Sequence, residues 1–108
     1  MSDQRFIIEM GMGNDLHGQD MTKAACRAVE NALNGSSLAI LKARPALRQA
    51  LRVQVTVGVP QPDQVDAGAV QALLPVGQVS VSVVEGGLTA GDAVVAQAAI
   101  EAFLPPQG

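Results

Sequence analysis

Aromatic residues are almost absent from this chain. It has no tryptophan and no tyrosine, and its two phenylalanines are Phe6 and Phe103. Aromatic side chains supply much of the buried area in small domains, and a chain of 108 residues buries a smaller fraction of its surface than a long one. We therefore expect a core of small side chains in one domain, residues 1–108, that gains further burial by assembling into a homo-oligomer.

Basic residues and long apolar runs are also scarce. Seven lysines and arginines against ten acids give a formal net charge of −3, whereas nucleic-acid binding needs a basic surface. No run approaches the roughly 18 apolar residues that a membrane span needs, and the N-terminus lacks the regions of a signal peptide. One cysteine cannot form an intrachain disulfide. We expect a cytoplasmic protein with no nucleic-acid or membrane partner.

Alternation of apolar and polar residues predicts three strands, at residues 4–12, 51–59 and 78–85. Helical periodicity predicts helices at residues 21–34, after an N-cap at Asp20, and at residues 64–74. Glycines interrupt the pattern after the first strand, so residues 13–19 are predicted to form a loop.

Three further segments are less regular. A short helix is predicted to begin at Ser36 or Ser37. One turn is predicted at Pro45 and another at Pro75. The alanine content of residues 92–104 favours a helix capped by Asp92, although the same residues also fit the period of a strand.

Valines occupy one face of the second and third predicted strands, and small polar residues (Gln54, Thr56, Ser80 and Ser82) occupy the other. A parallel sheet buried on both faces would be continuously apolar, so helices are expected to cover only the valine face. The predicted fold is α+β: one sheet of at least three strands in β-α-β-α-β order, with helices on one face and assembly through the sheet or loops.

Ionisable residues and glycines are concentrated between Glu9 and Arg27. Lys23 and Arg27 lie one turn apart at the start of the predicted helix, where the helix dipole favours anions. An anion held by them and by free backbone N–H groups would resolve this conflict. The residues expected to contact an anionic small molecule are Lys23, Arg27, Gly11, Gly13, Asp15, Gln19, Asp20, Glu85 and Gly86.

Two residues are candidates for proton transfer. His17 lies in the predicted loop, and an imidazole titrates near neutral pH. Glu9 lies near the end of an apolar strand and is the second candidate. Cys26 lies on the apolar stripe of the predicted helix, which favours a structural thiol over a nucleophile.

Simpler interpretations stay open. Neighbouring acids (Glu9, Asp15, Asp20 and Glu30) are sufficient to neutralise the two cations without a ligand. A metal bound by His17 and carboxylates is an alternative, but without a second histidine or a thiolate we expect none. Position 16, three residues beyond Gly13, is a leucine, so the glycines do not form a dinucleotide-binding motif, and no cofactor is expected.

The run RFIIEMGMG at residues 5–13, followed by DLHGQD at 15–20 and TKAA at 22–25, resembles an uncharacterised, conserved hypothetical family. Its members are short stand-alone proteins of bacteria, archaea and plants. The segments VGVP at 57–60 and VEGGL at 84–88 extend the resemblance over most of the chain. The resemblance implies a cytosolic α/β oligomer and implies no activity.

These observations support two function hypotheses. The first is a small oligomeric enzyme of the isomerase, lyase or hydrolase type, in which His17 and Glu9 transfer protons and an anionic substrate lies between subunits. The second is a non-catalytic oligomer that binds a metabolite or has a structural role.

Overall fold

The computed structural model describes residues 4–34, 50–74 and 77–104. These residues form β1 (Gln4–Asp15), α1 (Met21–Asn34), β2 (Arg52–Val59), a 3₁₀ turn (Pro62–Gln64), α2 (Ala67–Gln71), β3 (Gln78–Glu85), β4 (Leu88–Ala90) and β5 (Ala93–Leu104). The helix and turns predicted after Ser36, at Pro45 and at Pro75 lie outside the described residues.

The strands form one sheet in the order β1-β5-β2-β3, and β4 pairs with the first residues of β5. β2 and β3 are parallel, whereas β5 is antiparallel to both β1 and β2. The helix favoured for residues 92–104 is therefore wrong, because this segment is a central strand. The helix propensity of alanine is worth at most about 0.7 kcal/mol per residue over ordinary residues, and hydrogen bonds along both sides of β5 outweigh it.

Two other predicted boundaries also change. β1 continues three residues beyond its predicted end, because residues 13–15 pair with residues 94–96 of β5. The helix predicted at residues 64–74 is a 3₁₀ turn followed by the five-residue α2, whose N-cap Asp66 accepts hydrogen bonds from the Gly68 and Ala69 N–H groups. The bounds predicted for α1 and β3 agree with the structure.

Small residues allow α1 to lie directly on β1 and β5. A Cβ atom at Gly13 would lie 2.7 Å from the Ala24 carbonyl oxygen, and one at Gly11 would overlap the backbone of Ala28. The neighbouring strand β5 places alanines beside both glycines. Backbones can approach this closely only where no side chain intervenes, which explains why the core contains so much alanine and glycine.

The two faces of the sheet differ. The covered face, on which α1 and α2 pack, carries buried residues of β2 and β5: Val53, Val55, Val57, Val59, Val94, Ala96, Ala98, Ile100 and Ala102. The open face is the other one, which neither described helix covers. It carries Ile8, Met10, Met12, Gln54, Thr56, Gly58, Ser80, Ser82, Val84, Leu88, Gln97, Ala99 and Glu101. The predicted α+β sheet with helices on one face is confirmed.

Candidate functional site

The residues predicted to form a site fall into separate places. The junction of β1 and α1, here called the loop cluster, holds Asp15, His17, Gln19, Asp20, Lys23 and Arg27. A cavity at the open face counts Gly11, Glu85 and Gly86 among its lining residues, although the strand register turns the side-chain positions of Gly11 and Glu85 toward the covered face. Glu9 and Gly13 belong to the covered side of β1. The structure therefore does not bring the whole predicted set together.

Asp15 is the central residue of the loop cluster. It ends β1, and its pairing with Val94 turns its side chain toward the covered face, where it is only 5% exposed. Its Oδ2 accepts a hydrogen bond of 2.9 Å from the Asp20 N–H. This bond joins the end of β1 to the start of α1 and so fixes the turn between them.

Arg27 is held by partners within the chain. Its Nη1 donates a hydrogen bond of 2.7 Å to the Asn14 carbonyl oxygen and lies 3.8 Å from Asp15 Oδ1. Arg27 thus has a neighbouring acid, Asp15, that neutralises its charge. This is one of the alternatives that the sequence left open. An anion between Arg27 and Lys23 stays a prediction.

Asp20 caps α1 as predicted. Its Oδ1 accepts a hydrogen bond of 3.0 Å from the Lys23 N–H, and its carbonyl oxygen accepts the Ala24 N–H. Gln19, just before it, has a positive φ of 53° and donates through Nε2 to the Gly91 carbonyl oxygen at 3.5 Å. The helix start is therefore already supplied with a protein acceptor at the place where an anion was expected.

His17 and Glu9 lie far apart. β1 remains extended from Glu9 to Asp15, and six residues of a strand span roughly 20 Å. His17 follows the strand in an exposed loop, whereas Glu9 is half-buried on the covered side. One substrate atom cannot be within reach of both groups, so His17 and Glu9 stay separate candidates for proton transfer.

The metal alternative receives no support from the geometry. In the part of the chain that the structure describes, no three His, Cys, Asp or Glu side chains come together in a way that could hold a metal ion. The described helices also include none that is long and apolar enough to cross a membrane.

Thr22 makes contacts that the sequence did not indicate. Its Oγ1 donates to the Gln64 carbonyl oxygen at 3.4 Å and accepts from the Asp66 N–H at 2.9 Å. These bonds connect the first turn of α1 to the segment before α2. Thr22 belongs to the TKAA run, so its role in joining elements distant in sequence is a structural reason for that residue type.

The cavity at the open face has a volume of about 710 Å³. Besides the three predicted residues, its lining consists of Met10, Met12, Asn31, Thr56, Gly58, Val84, Gln97, Ala98 and Ala99. These residues were not predicted because β5 was expected to be a helix. Once β5 lies between β1 and β2, alternation places most of them on one face, whereas Ala98 is buried on the covered face and Asn31 belongs to α1.

Cys26 is half-buried on α1. Burial raises the pKa of its thiol, and the nearby carboxylates of Glu30, Asp20 and Asp66 raise it further. A raised pKa lowers the thiolate fraction at neutral pH, and the thiolate is the reactive form. This environment agrees with a structural thiol.

Comparisons with other proteins agree with these observations. A crystal structure of an FtsZ-like protein of unknown function from Nostoc punctiforme superposes with a TM-score of 0.84, at 34% sequence identity, over 98% of this chain and 99% of that chain. No curated protein gives a significant match. The family described as Conserved hypothetical protein (Lin0512_fam) matches residues 5–102. The resemblance to a conserved hypothetical family is confirmed, and the chain belongs to this family.

Proposed function

We propose that the protein is a homo-oligomer that assembles through its open face and binds a small molecule, without turnover, in the cavity at that face. One observation carries the proposal. Among the described residues, five of the six exposed large apolar side chains lie on the open face, each between 41% and 72% exposed: Ile8, Met10, Met12, Val84 and Leu88. Large apolar residues exposed together on one face mark an interaction surface.

A second copy of the chain is the partner that we propose for this face. Its charged residues gather at one end, where Arg5, Arg52 and Glu101 lie near the starts of β1 and β2. The other residues named above for this face are uncharged, so a second copy could cover them without burying an unpaired charge. Most homo-oligomers pair the same surface patch of two copies about a two-fold axis.

Binding has more support than catalysis. Glu85 is the one ionisable side chain among the residues that line the cavity, whereas His17 and Lys23 belong to the loop cluster and Glu9 to the covered side. The Nostoc relative is described as of unknown function, so its description supplies no reaction. The cytoplasmic location and the lack of a nucleic-acid partner expected from the sequence are part of the same proposal.

The assembly can be tested with Met10→Glu, since a charge at the centre of the interface would be buried without a partner. Light scattering coupled to size-exclusion chromatography should show the wild type as an oligomer and the variant as a monomer of 11.1 kDa. Leu16→Glu is the matched control, because Leu16 is 58% exposed but lies in the loop outside the open face.

A monomeric wild type at micromolar concentration would contradict the proposal. So would an oligomer that survives Met10→Glu but dissociates with Leu16→Glu, because the interface would then lie at the loop cluster. Circular dichroism of both variants checks that each remains folded.

A further inference from the structure

We infer that the outer edge of β3 pairs with the same edge of a second copy of the chain, so that the two sheets join through antiparallel strands. The outer edge is the row of backbone groups of β3 that points away from β2, and it lies in the plane of the sheet. The inference goes beyond the proposed function, because this surface is separate from the open face. It is carried by the direction of the backbone groups and by the sequence of the strand.

Two hydrogen bonds show which residues of β3 bond to β2. The Gln78 N–H donates to the Leu51 carbonyl oxygen, and the Gly86 N–H donates to the Val59 carbonyl oxygen, each at 2.9 Å. These bonds lie at the two ends of the strand, and both donors have even numbers. Successive residues of a strand direct their N–H and C=O groups to alternate sides. The even-numbered residues between them therefore also bond to β2.

The odd-numbered residues of β3 direct their backbone groups to the outer edge. The Val79 carbonyl oxygen agrees with this direction, because it accepts a hydrogen bond from Gln71 Nε2 at 3.4 Å rather than one from β2. Val81 and Val83 follow with the same orientation. Among the described strands, β2 is the one that pairs with β3, so the outward N–H and C=O groups have no strand partner in that part of the chain.

The opposite edge of the sheet, at β1, is protected against such pairing. Side chains of α1 occupy two of its backbone groups: Asn31 Oδ1 accepts the Met12 N–H at 3.0 Å, and Arg27 Nη1 donates to the Asn14 carbonyl oxygen at 2.7 Å. A register shift near its start also interrupts β1. By contrast, β3 keeps an unbroken register with β2 and contains neither proline nor lysine. It therefore lacks the features that natural proteins use to block edge pairing.

The sequence of β3 is self-complementary. Its central part reads Val-Ser-Val-Ser-Val from Val79 to Val83, which is the same in both directions. If Val81 lies opposite Val81 of the other copy, Val79 meets Val83 and Ser80 meets Ser82. The outward valines then form the hydrogen-bonded pairs, with two backbone hydrogen bonds at each pair. A two-fold axis perpendicular to the sheet relates the copies, as in other isologous interfaces.

The side chains fit this register. Val79, Val81 and Val83 are only partly buried against the core, and the valines of the other copy would cover more of their surface. Glu85 is the charged residue of β3, and its two copies would lie roughly 27 Å apart at opposite ends of the pair. A contact through one strand is small compared with a stable interface, so we expect it to form at millimolar rather than micromolar concentration.

NMR of the Met10→Glu variant measures the edge contact, because open-face assembly is expected to be absent there. As the concentration rises to millimolar, the amide signals of Val81 and Val83 should shift and their hydrogen exchange should slow. A mixture of labelled and unlabelled chains should show a nuclear Overhauser contact between the α-hydrogens of Ser80 and of Ser82 in the other copy. Residues in pairs without hydrogen bonds approach most closely at Cα, so this contact reports the register.

Val81→Pro is the variant that blocks the edge. Proline has no N–H, and the N–H of this residue points outward, so the bonds to β2 remain. The edge association should weaken by at least about tenfold. Val81→Ala is the matched control, because it shortens the same side chain but keeps the N–H and should retain the concentration-dependent shifts. Ser80→Pro removes an N–H that β2 uses and should instead lower the urea midpoint of unfolding.

Equal shifts in Val81→Pro and Val81→Ala, or no shift at Val81 and Val83 up to millimolar concentration, would overturn the inference. Contacts between copies at β1 instead of β3 would also overturn it, because the other edge would then be the paired one. Hydrogen exchange of a dilute sample needs no substitution in β3: Val81 and Val83 amides as protected as those of Ser80 and Ser82 would mean that the edge is already occupied. If the wild type is monomeric at micromolar concentration, the proposed assembly fails, and the same measurements on the wild type still decide the edge contact.

Discussion

The two faces of the sheet differ in the size and exposure of their side chains. The covered face is built mainly from glycine, alanine and valine, and its valines at positions 53, 55, 57 and 59 are fully buried. The open face carries the larger residues Ile8, Met10, Met12 and Leu88, which are exposed by 41% or more. Large apolar side chains thus stand where a single copy of the chain leaves them in water.

This difference has two separate causes. Small residues are required on the covered face because the backbone of α1 approaches that of β1 at Gly11 and Gly13. No such requirement acts on the open face, where large side chains have no described helix to pack against. Exposure of these side chains to water is unfavourable, which is the reason to expect a second copy there. Their burial by that copy would add to the small buried area of a core with few large side chains.

The largest difference between the two faces is expected in the free energy of unfolding, when alanine is substituted at two adjacent positions of β1. Gly13→Ala should lower the free energy of unfolding by about 3 kcal/mol or more, because its methyl group would lie 2.6 Å from the Arg27 carbonyl carbon and α1 would have to move. Met12→Ala, on the open face, should change it by less than about 1 kcal/mol.

Chemical denaturation of both variants, at a concentration that keeps the chains monomeric, measures this difference. Similar stabilities for the two variants would mean that α1 does not lie on β1 as described.

A smaller difference in stability is expected between alanine substitutions of two valines on adjacent strands. Val57 is fully buried on β2, whereas Val84 is 47% exposed on β3. Val57→Ala should destabilise the chain by about 2 kcal/mol through lost burial and the cavity left behind. Val84→Ala should cost less than about 0.5 kcal/mol. Thermal unfolding would contradict the assignment of the faces if Val84→Ala proved the more damaging.

The smallest effect is expected in the pH dependence of the reactivity of the Cys26 thiol. Because burial and nearby carboxylates raise the pKa of this thiol, the folded protein holds the thiol proton more tightly than the unfolded chain does. The rate of reaction with a disulfide reagent should therefore rise at a higher pH in the folded protein than in urea. Glu30→Gln should lower the midpoint of this pH profile, whereas Glu101→Gln on the open face should not. An unchanged midpoint with Glu30→Gln would show that the carboxylate is not coupled to the thiol.

Local signals in the sequence were sufficient for several elements. The N-cap at Asp20 and the apolar stripe after it predicted the observed bounds of α1, and alternating valines predicted those of β3. These signals act between residues close in the chain, so they can be recognised without knowledge of the fold. The prediction of helices on the valine face followed from the same alternation.

Other features depended on contacts between distant residues. The segment of β5 fits both a helix and a strand, and its pairing with β1 and β2 decided between them. β1 extends beyond its predicted end to Asp15 for the same reason. The loop cluster was predicted as a concentration of charged residues, but sequence spacing alone could not distinguish the Asp15–Arg27 pair within it from an anion site.

Propensity, capping and periodicity are local, so the small-residue core, the capped helix and the valine-lined strands could be predicted from short segments of the chain. The set of residues that share a cavity depends instead on the tertiary structure. Met12, Gly58 and Val84 belong to three strands and meet through β5 and the register of the sheet. Register is set by long-range pairing, and a shift of one residue would turn each of these side chains to the other face.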